Sequence, residues 1–260
     1  MKAPPLLDLQ NVRVMRGDRV VLDDFSLSVG GEERIAILGP NGCGKSTLVK
    51  TITRECYPVV RAGSSMTILG RERWNVFELR SMLGVVSNDL MSAVMGEATG
   101  LDIVLSGFFS SIAIFTNHHV NREQKDLAYA TLAQLQVSHL AGRPVSEMSS
   151  GEARRILIAR ALVHHPRALL FDEPSNSLDV IARQNLRQTM SLLANSGIGI
   201  IMVTHDLADI VPEIDRVVLM REGRIVADGR KEEMLTTKCL GNLFGTRVEV
   251  ARLDGFYHLW

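Results

Sequence analysis

The chain has 260 residues, which is enough for one large domain or for a domain with an inserted lobe. Its 29 Lys and Arg residues balance its 29 Asp and Glu residues, so no net charge attracts it to acidic lipid, and no nucleic acid partner is expected. The three cysteines are too scattered for a disulfide framework or a zinc knuckle, and the longest apolar stretch is too short to span a bilayer, so we expect a cytosolic protein that does not itself cross a membrane.

The first part of the chain is predicted to contain several strands and one helix. A glycine-rich stretch, GPNGCGKST, stands between an apolar strand and this helix. The predicted elements, in chain order, are strands over 6–14, 20–29 and 34–38, a helix over 48–54, and strands over 66–69 and 83–87.

The rest of the chain is predicted to alternate helices with strands. The segment 89–144 is predicted to be mainly helical, most clearly over 122–136. The elements that follow are a helix over 153–162, a strand over 168–171, a helix over 181–194, a strand over 199–203, a helix over 206–211 and a hairpin of strands over 216–221 and 224–228. Apolar strands that alternate with helices predict an α/β fold, with a mainly parallel sheet covered by helices on both faces.

The glycine-rich stretch predicts a nucleoside triphosphate site. It fits the pattern G-x-x-x-x-G-K-[ST] between a strand and a helix. The glycines let backbone N–H groups turn toward phosphate oxygens, Lys45 is expected to reach the β- and γ-phosphates, and Ser46 is expected to bind Mg²⁺. The residues predicted to contact the nucleotide here are Gly39, Pro40, Asn41, Gly42, Cys43, Gly44, Lys45, Ser46 and Thr47.

Two carboxylates and a histidine follow predicted strands. Asp172 and Glu173 stand at the carboxyl end of an apolar strand, where open α/β sheets bind their ligands. Asp172 is predicted to hold Mg²⁺ through water and Glu173 to polarise the attacking water. His205 also ends an apolar strand and is predicted to touch the γ-phosphate. The alternatives are a solvated Asp-Glu loop and a histidine without a role in the site.

The start of the predicted helix at 153–162 is a second candidate anion site. Ser149, Ser150 and Gly151 precede this helix, and the N–H groups at a helix start attract anions. An ordinary helix cap explains the same residues, because Ser149 and Glu152 have the spacing of a capping box. The residues alone leave both interpretations open.

Together these motifs resemble those of the ATP-binding cassette (ABC) ATPases. The glycine-rich loop, SSGE before a helix, LLFDEP, Ser177-Leu178-Asp179 and the strand-end His205 occur in the order typical of that family, and the resemblance covers roughly residues 6 to 235. The stretch GLDIVLSGFFSSIAIF resembles the corresponding segment of importer ATPases in the metal-chelate and molybdate-related branch.

The resemblance implies a P-loop NTPase fold. Such a fold has a RecA-like parallel sheet core, an N-terminal antiparallel β subdomain and an inserted helical lobe. A single ABC ATPase domain would then span 1–260. Its catalytic α/β core would comprise 1–88 and 165–235, its helical lobe with the signature would comprise 89–164, and 236–260 would be a C-terminal extension.

The resemblance also implies that two chains share each site. The family signature, usually written LSGGQ, corresponds to Met148 to Glu152, with Glu in place of the usual Gln. In the family the signature of one subunit caps the ATP that the P-loop of another binds, in a head-to-tail dimer. Ser149 and the Gly151 N–H would then hold the γ-phosphate, and Asp179 would lie in the loop that aligns the attacking water. The expected cofactors are ATP and Mg²⁺.

Three positions depart from the family pattern. The usual glutamine after the strand that enters the helical lobe is replaced by Ser87 or Asn88, and Asn88 is the predicted contact to Mg²⁺ and water. Arg16 stands where an aromatic residue normally stacks on adenine, and a guanidinium plane can also stack on a base. Cys43 occupies a P-loop position that is often Ser.

The leading functional prediction is an ATPase that powers transport. The resemblance implies a homodimer bound to a separate integral membrane permease, at the cytoplasmic face of the membrane. Phe108, Phe109, Ile112 and Phe115 are candidates for the permease contact, and the alternative is that they pack the lobe's own core. The alternative function is a soluble ABC ATPase in translation or DNA maintenance, although such relatives usually carry two cassettes or a long coiled-coil or basic insertion, which this chain lacks.

Overall fold

The computed structural model describes residues 4–90 and 97–260. Its strands are β1 (Leu7–Arg16), β2 (Arg19–Val29), β3 (Arg34–Leu38), β4 (Ser65–Ile68), β5 (Leu83–Val86), β6 (Ala168–Asp172), β7 (Gly199–Thr204), β8 (Arg216–Arg221), β9 (Arg224–Arg230), β10 (Val250–Leu253) and β11 (Phe256–Leu259). Its helices are α1 (Lys45–Ile52), α2 (Val76–Met82), α3 (Gly100–Ser106), α4 (Arg122–Gln134), α5 (Ser150–Leu162), α6 (Val180–Asn195), α7 (Lys231–Met234) and α8 (Thr237–Phe244).

The chain divides into two compact units. The first comprises Met1–Val76 and Ala194–Trp260, and the second comprises Phe77–Leu193. The predicted helical lobe, 89–164, falls inside the second unit, which also contains β5 and β6. The finer division into core, lobe and extension stays a prediction.

The first unit contains the predicted N-terminal antiparallel sheet. β1 pairs antiparallel with β2 on one side and with β4 on the other. Leu7, Leu9, Val12 and Val14 are all buried along β1, and a register shift between Leu9 and Val12 keeps the later apolar residues on the covered face. The strand predicted from the alternating pattern and the antiparallel sheet implied by the family resemblance are both confirmed.

The first unit also contains the strand that leads into the phosphate loop. β3 lies between β7 and β8 and is parallel to both. Its residues Ile35 to Leu38 are fully buried, as expected for a continuous apolar run in a central parallel strand. β8 and β9 pair antiparallel and are joined by Glu222 and Gly223, whose φ angles of 51° and 77° suit a tight two-residue turn. The predicted α/β class and the predicted hairpin are confirmed.

The helix after the phosphate loop begins earlier than predicted. It runs over Lys45–Ile52 and not over 48–54. Gly44 precedes it with a φ of 111°, a conformation that favours glycine. Lys45 and Ser46 consequently lie in the first helical turn, where backbone N–H groups have no partner within the helix and remain able to bind an anion.

In the second unit a pair of parallel strands is packed with helices. β5 pairs with β6, with Val86 opposite Phe171. The long helix α5 is largely buried and packs against α3, α4 and β5. Because β5 and β6 are parallel, the residues that follow them leave this strand pair at the same edge.

Two predicted helical segments differ in the structure. The segment 206–211 contains only a 3₁₀ turn, Leu207–Asp209, because Asp206 Oδ1 accepts a hydrogen bond from the Ala208 N–H at 2.9 Å, and such local bonds favour turns over helix. The predicted helical segment 89–144 also contains a 3₁₀ turn, Gly107–Phe109, which ends at Ser110 with a φ of 50°. Residues 91–96 of that segment lie outside the described residues.

The C-terminal residues form the helix α8 and a hairpin. β10 pairs antiparallel with β11, with Val250 opposite Leu259. Within the described residues these two strands pair only with each other, so they add no strand to the sheets of the first unit.

Candidate nucleotide-binding site

The loop between β3 and α1 is shaped to hold a phosphate chain. Gly39 has no room for a side chain, since a Cβ there would lie 2.2 Å from the Met220 carbonyl oxygen and 2.8 Å from Cys43 Sγ. Its N–H donates to the Thr204 carbonyl at 3.3 Å, which ties the loop to the end of β7. The glycine is thus required by close backbone approach, as the predicted site demands.

Lys45 is nearly buried within this loop. Its side chain is 4% exposed, and Nζ donates to the carbonyl oxygens of Gly39 at 2.9 Å and of Pro40 at 3.1 Å. These bonds curl the loop around the ammonium group. The charge is therefore held where the loop's backbone turns inward, as phosphate binding by a P-loop lysine requires.

The two hydroxyl residues that follow Lys45 differ in exposure. Ser46 is exposed at the start of α1, whereas Thr47 is buried and its carbonyl accepts the Thr51 hydroxyl at 2.7 Å. Ser46 can therefore offer a hard oxygen ligand to Mg²⁺. Asn41 and Gly42 are exposed at the tip of the loop, in reach of a ligand.

Cys43 fills space inside the loop. Its side chain is 5% exposed, its N–H donates to the Pro40 carbonyl at 3.3 Å, and its own carbonyl accepts the Gly223 N–H at 2.8 Å. These contacts connect the phosphate loop to the β8–β9 turn. The geometry favours a packing role for the thiol and leaves the backbone to shape the nucleotide site.

His205 leaves the sheet beside the phosphate loop. β3 and β7 are parallel neighbours with Leu38 opposite Thr204, so Gly39 and His205 follow equivalent positions at the same edge. His205 is exposed. The contact of His205 with the terminal phosphate stays a prediction.

Arg16 is the residue predicted to contact the adenine end of the nucleotide. It is the last residue of β1, pairs with Arg19 of β2 across the turn at Gly17, and is exposed. A flat guanidinium there is accessible to a base. Its stacking on adenine stays a prediction.

In the second unit, Asp172 and Glu173 stand at the carboxyl end of β6. Asp172 is the last residue of the strand, and Glu173 adopts a left-handed conformation with a φ of 48°. A non-glycine residue in this region costs about 1 kcal/mol, and such strain is concentrated at functional sites. The left-handed backbone at Glu173 turns the chain out of the strand. The roles predicted for the two residues differ accordingly: Asp172 holds Mg²⁺ and Glu173 polarises the attacking water.

Asn88 follows the neighbouring strand. Ser87 Oγ accepts the Leu90 N–H at 3.3 Å and caps the helical residues 88–90, so Ser87 has a structural role. Asn88 Oδ1 accepts a hydrogen bond from Arg154 Nη2 at 2.6 Å. Sequence reasoning missed Arg154, which is buried in α5 and separated from Asn88 by 66 residues.

The start of α5 has the predicted capping box. Ser149 Oγ accepts the Glu152 N–H at 3.2 Å, and a Glu152 carboxylate oxygen accepts the Ser149 N–H at 2.8 Å. The Ser149 N–H bond is the main cause that lowers the pKa of Glu152, in spite of partial burial, and Arg143 at 3.4 Å lowers it further. The structural explanation of this helix start is therefore correct, and the Ser149 hydroxyl proton remains able to bind an anion.

The signature residues also border a cavity of about 160 Å³. It is lined by Ser149, Gly151, Glu152, Asp179, Ala182 and Asn185, among others. Asp179 caps α6 by accepting the Ala182 N–H at 2.7 Å. A Cβ at Gly151 would lie 2.7 Å from the Ala182 Cβ, so the signature glycine is required by packing against α6. Ala182 is a second residue that sequence reasoning missed.

The site residues are thus distributed over both units. The phosphate loop, His205 and Arg16 belong to the first unit, and Asp172, Glu173, Asn88, the signature and Asp179 belong to the second. Ser46 in the first unit carries a hydroxyl oxygen and Asp172 in the second a carboxylate oxygen, and both are of the hard type that Mg²⁺ binds, so their role as Mg²⁺ ligands stays a prediction. Among the described residues there is no cluster of three or more His, Cys, Asp or Glu side chains of the kind that holds a metal without such help.

Comparisons with known proteins give the same family. The family model described as ABC transporter matches residues 22–176. The chain is 32% identical over 250 residues to YlmA of Bacillus subtilis (strain 168), an uncharacterized ABC transporter ATP-binding protein, and the match covers 94% of this chain and 93% of YlmA. It is 33% identical over 225 residues to the cobalt import ATP-binding protein CbiO of Syntrophus aciditrophicus (strain SB), covering 84% of this chain and 75% of CbiO.

A solved structure has the same fold. It is an inward-facing conformation of a putative metal-chelate type ABC transporter, with a TM-score of 0.78 at 22% identity, over 98% of this chain and 96% of that one. In the part of the chain that the structure describes, none of the helices has the length and apolarity needed to cross a membrane. The chain belongs to the ABC transporter family, as an ATP-binding and ATP-hydrolysing subunit that powers transport through a separate permease.

Proposed function

We propose that two copies of this chain bind two Mg·ATP molecules head to tail, and that each ATP lies between the P-loop of one copy and the signature of the other. The observation that carries this proposal is the phosphate loop, where Gly39 has no room for a side chain and Lys45 is held by loop carbonyls. The exposed hydroxyl groups of Ser149 and Ser150 at the start of α5 supply the second contact. One chain carries both a phosphate loop and a signature. In the proposed arrangement, a second copy is needed so that each phosphate loop faces the signature of the partner.

The proposed roles follow from the chemistry of each side chain. Lys45 and the loop N–H groups would neutralise phosphate charge, and Ser46 and Asp172 would each offer an oxygen to Mg²⁺, which would supply positive charge to the phosphoryl group. Glu173 accepts the proton of the attacking water, and His205 donates to the γ-phosphate. Loss of the γ-phosphate would remove the contacts to the partner's signature and let the dimer open.

Glu152 gives the signature a specific electrostatic character. Its carboxylate lies at the positive end of α5, where a phosphate would also be attracted. Arg143, 3.4 Å away, offsets part of that negative charge. We propose that Glu152 stabilises the helix start while Ser149, Ser150 and the Gly151 N–H contact the phosphate.

Mixing two inactive variants tests the head-to-tail arrangement. Lys45→Ala removes the phosphate lysine and leaves the signature intact, whereas Ser149→Arg blocks the signature and leaves the P-loop intact. Each variant alone is expected to be inactive. In a one-to-one mixture, mixed dimers contain one complete site, so we expect about a quarter of the wild-type ATPase rate from random pairing of independent sites. A mixture no more active than its two components would contradict the arrangement.

We further propose that the permease docks on the 108–115 surface, which comprises Phe108 to Phe115 after α3. Ile103, Val104 and Leu105 supply the buried core of α3. In contrast, Ile112 is 43% exposed and Phe115 is 52% exposed. The side chains of Ile112 and Phe115 are therefore accessible to a partner.

Aromatic contacts give this surface a defined shape. His118 stacks on Phe109 with 4.2 Å between ring centroids and meets Phe115 edge to face at 5.6 Å. Phe108 and Phe109 are half-buried, so they both support the surface and belong to it. We therefore propose that Ile112 and Phe115 contact the permease, while Phe108 and Phe109 support them.

Basic residues lie behind the 108–115 surface. Arg160 donates to Ser106 Oγ at 3.2 Å and to the Ser111 carbonyl at 2.7 Å, and Arg80 donates to the Ser110 carbonyl at 3.5 Å. Burial, together with the nearby Arg80 charge, lowers the pKa of Arg160 to about 10. The positive charges of Arg80 and Arg160 would attract an acidic group in the docking segment.

Charge substitutions test the docking surface. Ile112→Asp and Phe115→Asp are expected to abolish recovery of the chain with membranes that contain its permease, because a carboxylate cannot be buried there without cost. ATP hydrolysis by the purified chain should be unchanged. Val226→Asp, at a residue 53% exposed in the first unit, serves as the control and should stay membrane-associated. Membrane recovery of Ile112→Asp and Phe115→Asp at the wild-type level would contradict docking on the 108–115 surface.

A further inference from the structure

Arg154 is a buried cation that connects three segments of the second unit. Its side chain is 2% exposed within α5, five residues after the signature serine Ser149. Nη2 donates to Asn88 Oδ1 at 2.6 Å and approaches the Asn176 carbonyl at 3.5 Å. Arg154 thereby joins the signature helix to the residues that follow β5 and to the loop that follows β6.

The hydrogen-bonding chemistry of arginine fixes the orientation of Asn88. A guanidinium has only donors, so the amide atom that faces Arg154 must be the oxygen. The bond is short and charge-assisted, and such bonds are stronger than neutral ones. The NH₂ group of Asn88 is consequently not the group bonded to Arg154, and by its chemistry it is a donor and cannot ligate a metal.

The cation itself opposes metal binding by the same oxygen. Mg²⁺ binds hard oxygen atoms at close range and demands near-ideal geometry. A guanidinium bonded to Asn88 Oδ1 withdraws electron density from that oxygen and repels a second cation. The Ser87 cap at the start of residues 88–90 further limits how far the Asn88 backbone can move.

We propose that Arg154 is a positioning residue that holds Asn88 by its oxygen, and that Asn88 donates its NH₂ to an oxygen atom of the bound Mg·ATP and water instead of ligating Mg²⁺. This inference rests on the proposed nucleotide site and changes the role of one residue within it. It also gives a physical link from the signature helix to the hydrolysis site, because movement of α5 moves Arg154 and with it the donor.

Substitution of Asn88 separates a donor from a metal ligand. Asn88→Asp keeps an oxygen that ligates Mg²⁺ well and keeps a partner for Arg154, but it has no N–H to donate. We expect Asn88→Asp and Asn88→Ala to lower kcat by a similar factor, about 10- to 100-fold, which is the usual effect of one lost hydrogen bond to a charged group. The Mg²⁺ concentration for half-maximal rate, and that for half-maximal ATP binding measured without turnover, should be unchanged in both.

A metal ligand would give the opposite pattern. If Asn88 binds Mg²⁺, then Asn88→Ala raises the Mg²⁺ concentration for half-maximal rate, and Asn88→Asp restores it or lowers it below the wild-type value. Either result would overturn the proposal. Asn242→Asp, an exposed amide in α8, is the matched control for adding a carboxylate and should not change kcat.

A double-mutant cycle tests the positioning role of Arg154. Arg154→Met keeps the length of the side chain and removes the donors, and we expect it to lower kcat without changing the KM for ATP. The double variant Asn88→Ala with Arg154→Met should be no slower than Asn88→Ala alone, since the two residues act as one unit. Arg154→Lys keeps a donor and should restore part of kcat.

A loss of folding and a failure of the proposed function can both be told apart from a failure of the Arg154–Asn88 link. Arg154→Met can destabilise α5, so thermal unfolding is measured in parallel. Asn88→Asp distinguishes a donor from a Mg²⁺ ligand without any change in α5. Additive losses in the double variant would overturn the link between Arg154 and Asn88. A wild-type chain that fails to hydrolyse Mg·ATP would instead contradict the proposed function itself.

Discussion

In the Glu173→Gln variant, we expect kcat for ATP hydrolysis to fall by about 100- to 10,000-fold, the usual contribution of a positioned general base. Gln has nearly the same shape but cannot accept the proton of the attacking water. Residue 173 has a left-handed backbone with a φ of 48°, and this conformation costs Glu and Gln about the same. The substitution therefore removes the charge without changing the backbone strain.

The same variant should retain ATP and remain dimeric. With chemistry blocked, the γ-phosphate continues to hold the partner's signature, so Mg·ATP should shift the chain from monomer to dimer by light scattering during size-exclusion chromatography. Glu123→Gln, an exposed residue of α4, is the control and should turn over ATP normally. A Glu173→Gln chain with the wild-type rate would show that another group is the base.

In the Gly151→Ala variant, we expect the ATPase rate to fall by about tenfold or more, since misplacing groups at a reaction centre by about 1 Å costs that much or more. The added methyl group would lie 2.7 Å from the Ala182 Cβ, so α5 and α6 must separate. The displacement moves the Gly151 N–H, which is the proposed phosphate contact, although the methyl group itself faces α6.

A compensating substitution distinguishes this packing effect from a direct clash with ATP. Ala182→Gly removes the atom that the new methyl group meets, so Gly151→Ala with Ala182→Gly should recover most of the rate. Ala182→Gly alone should cost up to about 1 kcal/mol of stability, as glycine does within a helix. If the double variant is as slow as Gly151→Ala, the signature glycine is needed to admit the phosphate and not to pack against α6.

The functional prediction came from local patterns that carry chemistry. The phosphate loop, LLFDEP and the strand-end His205 were recognised because each follows an apolar strand, and the parallel register of β3 with β7 and of β5 with β6 brings the residues after paired strands to a common edge. The comparisons confirm the family and the ATPase activity that these motifs predicted. The roles assigned to individual site residues stay predictions, and the experiments above test them.

Segment boundaries were less predictable than the motifs. α1 begins at Lys45, three residues before the predicted start at 48, because the left-handed Gly44 in the phosphate loop sets the helix start, and hydrophobic periodicity does not show this. The 206–211 segment has an apolar pattern that suits a helix, yet the Asp206 side chain favours a turn. In both places a local backbone requirement outweighed the periodicity.

The sequence by itself determined the family, the nucleotide and the order of the motifs, because those signals are short runs of residue types with fixed spacing. Only the tertiary structure showed that Arg154 holds the oxygen of Asn88, that Gly151 is constrained by Ala182, and that the 108–115 stretch is partly half-buried and partly exposed. The physical reason is the same for each. These contacts join residues far apart in the chain, and their geometry depends on how helices pack, which no local run of residues specifies.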